Sequence, residues 1–463
     1  MTSPMPPLPA GQPIDLLIDA RWIIPVEPFR TLLENHAVAI HNGRILGLLP
    51  SDQAHVTYQA RRRVSLNEHV LIPGLINLHS HAAMSLLRGY ADDQPLMRWL
   101  QEHIWPAEGR LVCADFVRDG TLLAGAEMLR GGITCFNDMY FFPEAAAQSI
   151  QRLGMRAVLG LITLEFPSAY ASDASDYLSK GLATRDRLAN TDRIGFTLAP
   201  HAPYSVEDKT FERIVTLAAQ LDLSVHIHIH ETAQEIEESM RLHGMRPLER
   251  LHRLGLLGPH LIGVHAVHLN GRDLALLADH GCSIVHCPTS NMKLASGIAP
   301  ITAAMEQGIR VGLGTDGSAS NNRCDLFWEM RHGALLGKVA TDNAAAFDAH
   351  TMLRMATLEG ATALGLENDI GSLRPGKCAD LCAVRLDDWI LQPCFDPASH
   401  LLYAAGREQV SHVWVQGDEK VTDGQLNDTD INELLDISAL WQNNALMQRG
   451  NGGSGIPPQS NLP

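Results

Sequence analysis

The sequence lacks several features that would place it in common functional classes. None of its eight cysteines forms a Cys-x-x-Cys pair, so neither a zinc ribbon nor a thioredoxin-like redox motif is supported. No apolar run approaches the roughly 18 residues needed to span a bilayer. Residues 1–13 have no basic segment followed by an apolar one, so no signal peptide is expected. With several cysteines in apolar runs, which suits a reducing compartment, the sequence predicts a cytoplasmic protein.

Basic residues are also in deficit. The chain has 36 Lys and Arg against 52 Asp and Glu, a formal net charge of −16. Such a chain repels polyphosphates, so we expect no nucleic-acid partner and no membrane partner, whereas a small neutral or cationic nucleoside is not excluded. The sequence contains no P-loop and no Gly-x-Ser-x-Gly elbow, so phosphoryl transfer and serine-nucleophile chemistry have no support.

The two ends of the chain share a strand-and-turn character. The chain has 463 residues, 45% of them hydrophobic, which is enough for a large core and more than one domain. Residues 1–71 contain short apolar runs and a hairpin signal at His41-Asn42-Gly43. Strand character returns in residues 373–447, and we expect both segments to form one small β-sandwich domain. Residues 448–463 are rich in Gly, Pro, Ser and Asn and predict a flexible tail.

Residues 72–372 alternate short β runs with helical stretches, which predicts a parallel sheet with crossover helices. Eight such strands in a segment of this length predict an α/β fold, a (β/α)8 TIM-type barrel that forms the catalytic domain. The predicted strands are residues 74–78, 132–137, 156–163, 194–199, 223–229, 261–265, 282–286 and 309–315. Polar side chains follow several of these strands, at the end where such barrels carry their active sites.

His79 and His81 form a His-x-His pair after an apolar run. Strand side chains alternate, so both imidazoles point to the same face. His228 and Asp316, each at a later strand end, complete a set of nitrogen and oxygen ligands that suits a divalent ion, above all Zn²⁺. One such metal with an open position generates hydroxide at neutral pH, which predicts a hydrolase. The fourth strand contains no lysine to bridge a second metal, so we expect one ion.

The stretch Val225–Thr232 contains three alternating histidines. Three ligands from so tight a row cannot take tetrahedral geometry. We therefore interpret His226 and His230 as polar filling of the barrel interior and as hydrogen-bond partners around the site. Glu231 follows at the strand end, where it reaches a substrate held by the metal, and is a candidate catalytic residue. His265 ends another apolar run at the same level and is a second candidate.

Three glycines near Asp316 match the pattern G-x-G-x-x-G. These are Gly312, Gly314 and Gly317. A dinucleotide fingerprint requires a helix that opens at this point, but the chain continues into residues 318–322, Ser-Ala-Ser-Asn-Asn, which is typical of a loop. We interpret the match as accidental. A nicotinamide dehydrogenase stays open as an alternative that a nucleotide-binding assay would test.

These motifs together resemble the amidohydrolase superfamily, and within it the family of 5′-methylthioadenosine/S-adenosylhomocysteine deaminases. The resemblance runs from about Pro73 to Gly376 and is carried by residues 73–81, 228–232 and 313–317. It implies a zinc-dependent aminohydrolase in which Glu231 protonates the purine nitrogen beside C6. Asp316 would accept the proton of the attacking water, and His265 would hold the hydroxide and the oxyanion that follows.

The resemblance also implies a set of substrate contacts. Trp99 looks like the family's substrate-loop tryptophan, Glu108 like its ribose-binding glutamate and His201 like its fourth-strand histidine. The predicted substrate-binding residues are Trp99, Glu108, His201, Glu231, Asn291 and Asp316. The third strand departs from the pattern: no arginine follows it until Arg185, although a bidentate arginine would be expected to hold the carboxylate of S-adenosylhomocysteine.

The expected reaction is therefore deamination of 5′-methylthioadenosine at C6 to 5′-methylthioinosine and ammonia, with S-adenosylhomocysteine and adenosine as poorer substrates. A guanine deaminase or a triazine hydrolase, including hydrolytic dechlorination, stays open within the superfamily, although Glu108 and His201 favour a ribosylated purine. A barrel that has lost its metal is a further alternative, which the full ligand set disfavours. The sequence leaves a homo-oligomer open.

Overall fold

The computed structural model describes residue 11 and residues 13–450. The predicted tail, residues 448–463, lies outside this range except for its first three residues, which belong to the last helix. The segment 1–13, judged not to be a signal peptide, lies outside it except for Gly11 and Pro13. Within the described residues, no helix is long and apolar enough to cross a membrane.

The strands of the described chain form two sheets of eight strands each. They are β1 (Pro13–Ile23), β2 (Leu33–His41), β3 (Arg44–Pro50), β4 (Gln59–Pro73), β5 (Leu75–Ser80), β6 (Ile133–Tyr140), β7 (Arg156–Thr163), β8 (Ile194–Pro200), β9 (Val225–Ile229), β10 (Leu261–His265), β11 (Ser283–His286), β12 (Arg310–Leu313), β13 (Leu381–Arg385), β14 (Val410–Val415), β15 (Asp418–Thr422) and β16 (Gln425–Leu426).

Helices connect most of these strands. They are α1 (Ser51–Thr57), α2 (Leu96–Arg98), α3 (Trp105–Leu111), α4 (Ala114–Arg130), α5 (Pro143–Leu153), α6 (Ala174–Leu188), α7 (Asp208–Leu221), α8 (Ala233–His243), α9 (Pro247–Arg253), α10 (Gly271–Asp279), α11 (Pro288–Lys293), α12 (Ile301–Glu306), α13 (Leu326–Ala340), α14 (Ala349–Met355), α15 (Leu358–Ala363), α16 (Pro397–Tyr403) and α17 (Ile431–Gly450). Short 3₁₀ turns cover Ala82–Leu87, Trp389–Leu391 and Arg407–Gln409, and a π-helical segment, Trp99–Ile104, joins α2 to α3.

Strands β5 to β12 follow one another in a parallel sheet. Every residue of β5 and β6 is buried, because helices cover one face and the barrel interior the other. The first and last strands of this sheet, β5 and β12, are linked through the buried Asn77 of β5 and Thr315, which follows β12. Asn77 Oδ1 accepts the Thr315 N–H at 2.9 Å, and Asn77 Nδ2 donates to Thr315 Oγ1 at 2.8 Å. The predicted (β/α)8 barrel is confirmed, and its eight strands lie where the apolar runs place them.

The second sheet combines both ends of the chain in the order β16-β15-β14-β13-β4-β1-β2-β3. Antiparallel pairing of β13 with β4 joins the two ends. The predicted hairpin turn is present, with Asn42 at φ 49° and Gly43 at φ 72°, the left-handed pair that a two-residue type I′ turn requires. A core that includes Ile18, Val38 and Trp414 fills one side of this sheet. The predicted boundaries at residues 71 and 372 stay predictions.

The connection after β5 lies over the mouth of the barrel. It contains the 3₁₀ turn, α2, the π-helical segment and α3, so it places both Trp99 and Glu108 above the strand ends. The C-terminal helix α17 supports this region from outside, where Trp441 Nε1 donates to Asp119 Oδ2 of α4 at 2.9 Å. The barrel therefore supplies a fixed floor and this connection supplies a wall.

Candidate metal centre and cavity

Four side chains converge where β5, β9 and β12 end. Asp316 Oδ1 lies 3.2 Å from both His79 Nε2 and His81 Nε2, and His228 Nε2 lies 3.3 Å from His79 Nε2. Ligands held at about 2.0–2.1 Å in a tetrahedral zinc site are separated by roughly 3.3 Å. These three separations match that edge length. The ligand atoms of His79, His81 and Asp316 lie within 4.8 Å of one another, and those of His79, His228 and His265 form a second such group that shares His79, so the site is a candidate centre for a single zinc ion.

The second ring nitrogen of each candidate ligand already has a partner. His81 Nδ1 lies 2.6 Å from the Met139 carbonyl and His228 Nδ1 lies 2.7 Å from the His201 carbonyl. His79 Nδ1 lies 2.9 Å from Nε2 of the buried His226. A carbonyl can only accept, so Nδ1 of His81 and His228 carries the proton and Nε2 is free to bind a cation.

The charges in this cluster favour the binding of a cation. Burial lowers the pKa of His79 to about 3 and that of His228 well below its usual value, so both rings are neutral, as metal binding requires. Burial opposes protonation of His81 as well, but Asp316 raises its pKa to about 9. Although burial acts in the opposite direction, His79 and His81 hold the pKa of Asp316 well below its usual range. A bound cation supplies the charge that His81 otherwise takes up as a proton.

Asp316 is held in one orientation by two hydroxyl groups. Ser290 Oγ donates to Asp316 Oδ2 at 2.6 Å and Ser320 Oγ donates to the same oxygen at 2.7 Å. The other oxygen, Oδ1, is thereby left for the histidines. Asp316 has φ 61°, a left-handed conformation that is uncommon for residues other than glycine and often marks functional sites.

Glu231 and His265 lie beside this cluster, and both are buried. His265 Nε2 lies 3.8 Å from Glu231 Oε2, and His265 Nδ1 lies 2.9 Å from Asn291 Oδ1. Burial raises the pKa of Glu231, with His265 acting in the opposite direction. A carboxyl group whose pKa is raised toward neutrality can carry a proton to a substrate and recover it.

A cavity of about 300 Å³ opens above these groups. His81, His228, Glu231, His265 and Asp316 line its floor. Trp99, Glu108 and His201, all predicted from the sequence, line its walls. Among the described residues, no arginine and no lysine lines this cavity. Its outer part is apolar and includes Leu96, Trp105, Leu164, Phe166 and Pro167.

Asn291 has a different place from the other predicted substrate residues. It is 1% exposed, it holds His265 from behind and it does not line the cavity. The structure therefore brings together His79, His81, His228, Glu231, His265 and Asp316 and places Asn291 one layer outside them.

Two further features of the site were missed in the sequence analysis. Tyr140, the last residue of β6, donates its hydroxyl to Glu108 Oε1 at 2.6 Å. A tyrosine that ends a barrel strand was a signal that could have been used. Ser290, in the short helix α11, and Ser320, in the loop after β12, orient Asp316, but single serines carry no signal in the sequence alone.

Comparison with known proteins agrees with this geometry. The sequence profile described as Amidohydrolase family matches residues 70–420. A protein of Teredinibacter turnerae named 5-methylthioadenosine/S-adenosylhomocysteine deaminase is 47% identical over 429 residues, which cover 93% of this chain and 97% of that protein.

Solved structures show the same architecture. The crystal structure of an adenosine deaminase from Xanthomonas campestris with bound zinc superimposes with a TM-score of 0.93 at 46% identity, over 95% of this chain and all of that one. An atrazine chlorohydrolase from Arthrobacter aurescens, complexed with zinc, reaches a TM-score of 0.85 at 24% identity, covering 92% of this chain and 99% of its own. This second likeness shows the fold alone.

Proposed function

The chain belongs to the amidohydrolase family, and we propose that it deaminates 5′-methylthioadenosine at C6, with S-adenosylhomocysteine and adenosine as poorer substrates. It is a hydrolase that acts on a C–N bond. The observation that carries the choice of substrate is the lining of one cavity, where a candidate metal centre and Glu231 form the floor, Glu108 lies in a wall and the outer part is apolar.

The residues that would hold the zinc ion are His79, His81, His228 and Asp316. Oδ1 of Asp316 lies 3.2 Å from Nε2 of both His79 and His81, and Nε2 of His228 lies 3.3 Å from that of His79, distances that suit ligands of one ion. The relative of similar structure contains zinc. When bound, the ion supplies a Lewis acid that lowers the pKa of water toward neutrality.

The protein's own groups manage the protons of the reaction. Glu231 donates its carboxyl proton to N1 of the purine, which makes C6 electrophilic. Asp316 accepts a proton from the water that adds to C6, and His265 faces the oxygen as it adds. The amino nitrogen then takes up the proton held by Asp316, the C6–N bond breaks and ammonia leaves, while the hydroxyl group on C6 returns a proton to Glu231 and becomes the carbonyl of the product. One water is consumed for each ammonia released, and the carboxyl groups return to their starting state.

The substrate's sugar and 5′ group meet the walls of the cavity. Glu108 accepts hydrogen bonds from the ribose hydroxyls, and the loss of such a bond to a buried partner discriminates strongly between substrates. The outer part offers Leu164, Phe166 and Trp105 to the 5′ substituent. No cationic side chain of the described chain is available there for a carboxylate, so a methylthio group is favoured over the zwitterionic homocysteine group.

A substrate screen tests this proposal. Ammonia release is measured with 5′-methylthioadenosine, S-adenosylhomocysteine, adenosine, guanine and cytosine. We expect the highest kcat/KM for 5′-methylthioadenosine. Equal values for the first two compounds, or a preference for S-adenosylhomocysteine, would refute the role of the apolar wall. Turnover of guanine alone would refute the nucleoside substrate.

A cytoplasmic location and a homo-oligomer are part of the proposal. All eight cysteines are free, and six of them are buried, which suits a reducing compartment. Cell fractionation tests the location, and light scattering of the purified chain tests the assembly.

A further inference from the structure

Glu231 faces the cavity although strand alternation would direct it elsewhere. His226 and His228 point into the barrel, where both contact His79. Continued alternation would also direct residue 230 inward and residue 231 outward. In the structure the order is reversed: the His230 ring accepts the Leu248 N–H at 3.0 Å, and Glu231 lines the cavity.

The reversal occurs at His230. This residue has φ 51°, in the left-handed region that residues other than glycine seldom adopt. A left-handed residue in such a turn brings successive N–H groups to the same side of the chain, where they form a concave nest for an anion. The N–H groups of His230 and Glu231 form such a pair.

A buried carboxylate of the chain itself occupies this nest. Glu235 Oε1 accepts the His230 N–H at 3.0 Å and Glu235 Oε2 accepts the Glu231 N–H at 2.8 Å. Glu235 is 7% exposed. Its own N–H donates to Thr232 Oγ1, the cap of α8, at 3.2 Å. In an ordinary capping box the acid in this position reaches the N–H of the cap residue, whereas here it reaches the two residues before the cap.

We propose that Glu235 is a positioning residue for Glu231. Its two oxygens hold the backbone turn that directs the Glu231 carboxyl group into the cavity. Without both bonds, the chain at His230 is free to return toward strand geometry, which turns Glu231 away from the substrate. This inference rests on the proposed function, since it takes Glu231 as the carrier of the proton.

The first test is Glu235→Gln. The amide keeps the shape of the side chain, but its nitrogen opposes one of the two N–H groups instead of accepting from it. We expect kcat for 5′-methylthioadenosine to fall about 10- to 100-fold, because a misplacement of about 1 Å at a reacting group can cost about 100-fold in rate. KM and zinc content should stay close to those of the wild type.

A matched control separates positioning from general destabilisation. Asp380 is also a buried carboxylate that accepts a backbone N–H, that of Gln416 at 2.7 Å, but it lies against the sheet formed by both chain ends. Asp380→Asn should lower the melting temperature and leave kcat within about twofold of the wild type. If Asp380→Asn reduces kcat as much as Glu235→Gln, the positioning role is refuted.

The decisive measurement is a double-mutant cycle with Glu231→Gln. If Glu235 acts through the Glu231 carboxyl group, Glu235→Gln should lower kcat by less than about twofold in a chain that already carries Glu231→Gln. An undiminished loss in that background, or an unchanged kcat in the single variant, would overturn the proposal. Where Glu235→Gln fails to fold, Glu235→Asp, which shortens the carboxylate's reach, takes its place in the cycle.

Failure of the proposed function gives a different result. If 5′-methylthioadenosine is not a substrate, the wild type itself releases no ammonia from it, and the cycle is measured on the compound that the screen identifies. If Glu231→Gln is fully active, Glu231 is not the proton carrier. The positioning proposal fails alone when Glu231→Gln is impaired and Glu235→Gln is not.

Discussion

The hydroxyl group of Tyr140 donates a hydrogen bond to Oε1 of Glu108 at 2.6 Å. Tyr140 ends barrel strand β6 and is buried, whereas Glu108 belongs to α3 in the connection above the barrel mouth. This bond ties the part of the cavity wall formed by the connection after β5 to the strand layer of the barrel. Burial raises the pKa of Glu108 to about 7, with the Tyr140 bond and the charge of His81 acting in the opposite direction.

The raised pKa of Glu108 predicts a pH dependence of substrate binding. Below about pH 7, Glu108 is protonated and loses its charged hydrogen bonds to the ribose hydroxyls, so KM for 5′-methylthioadenosine should rise as the pH falls. The same raised pKa affects stability. Between pH 4.5 and about pH 7 the folded protein binds a proton at Glu108 that the unfolded chain does not bind. The stabilisation from this proton is therefore complete below pH 4.5 and is lost as the pH rises to about 7. Steady-state kinetics from mildly acidic to mildly alkaline pH measure the first effect. Glu108→Gln should flatten the KM profile, and an unchanged profile would contradict the assignment.

Removal of the Glu108 side chain should weaken catalysis of nucleosides selectively. A charged hydrogen bond to a buried hydroxyl contributes about 1.5–3 kcal/mol, so Glu108→Ala should lower kcat/KM for 5′-methylthioadenosine by roughly 10- to 150-fold. A free base, which has no ribose, should be affected much less. Glu102→Ala is the matched control, because Glu102 is an exposed glutamate of the same connection. An equal loss with and without ribose would exclude the proposed contact.

Metal analysis should find one divalent ion per chain. His228→Ala removes one of four candidate ligands, and we expect the variant to lose both its zinc and its activity when measured by plasma mass spectrometry and ammonia release. His252→Ala, at an exposed histidine of α9, should retain both. Two tightly held ions in the active wild type, or activity of His228→Ala with full metal content, would count against the proposed centre.

Replacement of Glu231 should separate proton transfer from metal binding. Glu231→Gln keeps the shape of the side chain but cannot donate and recover a proton, so kcat should fall by about 10²- to 10⁴-fold. Zinc content should be unchanged, because the four candidate ligands remain. Glu237→Gln, at an exposed position of α8, should behave as the wild type. A variant that loses its zinc would show that Glu231 is a ligand.

The C-terminal helix should make a measurable contribution to stability through Trp441. Its indole donates to Asp119 at 2.9 Å and packs edge-to-face on Phe116 with ring centroids 5.1 Å apart. Trp441→Ala should reduce the free energy of unfolding by about 3–5 kcal/mol, as measured in urea. Trp389→Ala should change it by less than about 0.5 kcal/mol, because Trp389 is 84% exposed. Equal effects of the two substitutions would contradict the packing role of α17.

Local sequence patterns are sufficient to predict those site residues whose place depends only on their position along a strand. His79 and His81 are two residues apart on β5, so alternation alone predicts that they share a face. Barrels of this type carry their active sites at the carboxyl ends of the strands, so the sequence alone makes Glu231, His265 and Asp316 candidates. The structure places all five of these residues at the cavity floor or in the candidate metal centre.

Contacts between residues far apart in the chain could not be predicted from local sequence patterns. Asn291 is among the predicted substrate-binding residues, yet its side chain contacts His265 and does not line the cavity. Tyr140 and Glu108 are 32 residues apart, and their bond depends on how the connection after β5 folds over the barrel. Ser320 reaches Asp316 only because the loop after β12 turns back on itself.

The sequence by itself determined the barrel, its strand order and the types of the ligand residues, because side-chain period and apolar runs act locally and are written in the order of the residues. Only the tertiary structure decided which way Glu231 points and which groups orient Asp316. Strand alternation predicts an outward Glu231, and the left-handed His230, held by the buried Glu235, reverses it. Such a reversal depends on contacts between a strand end and the helices that pack around it, and the local pattern at residues 225–232 carries no information about those contacts.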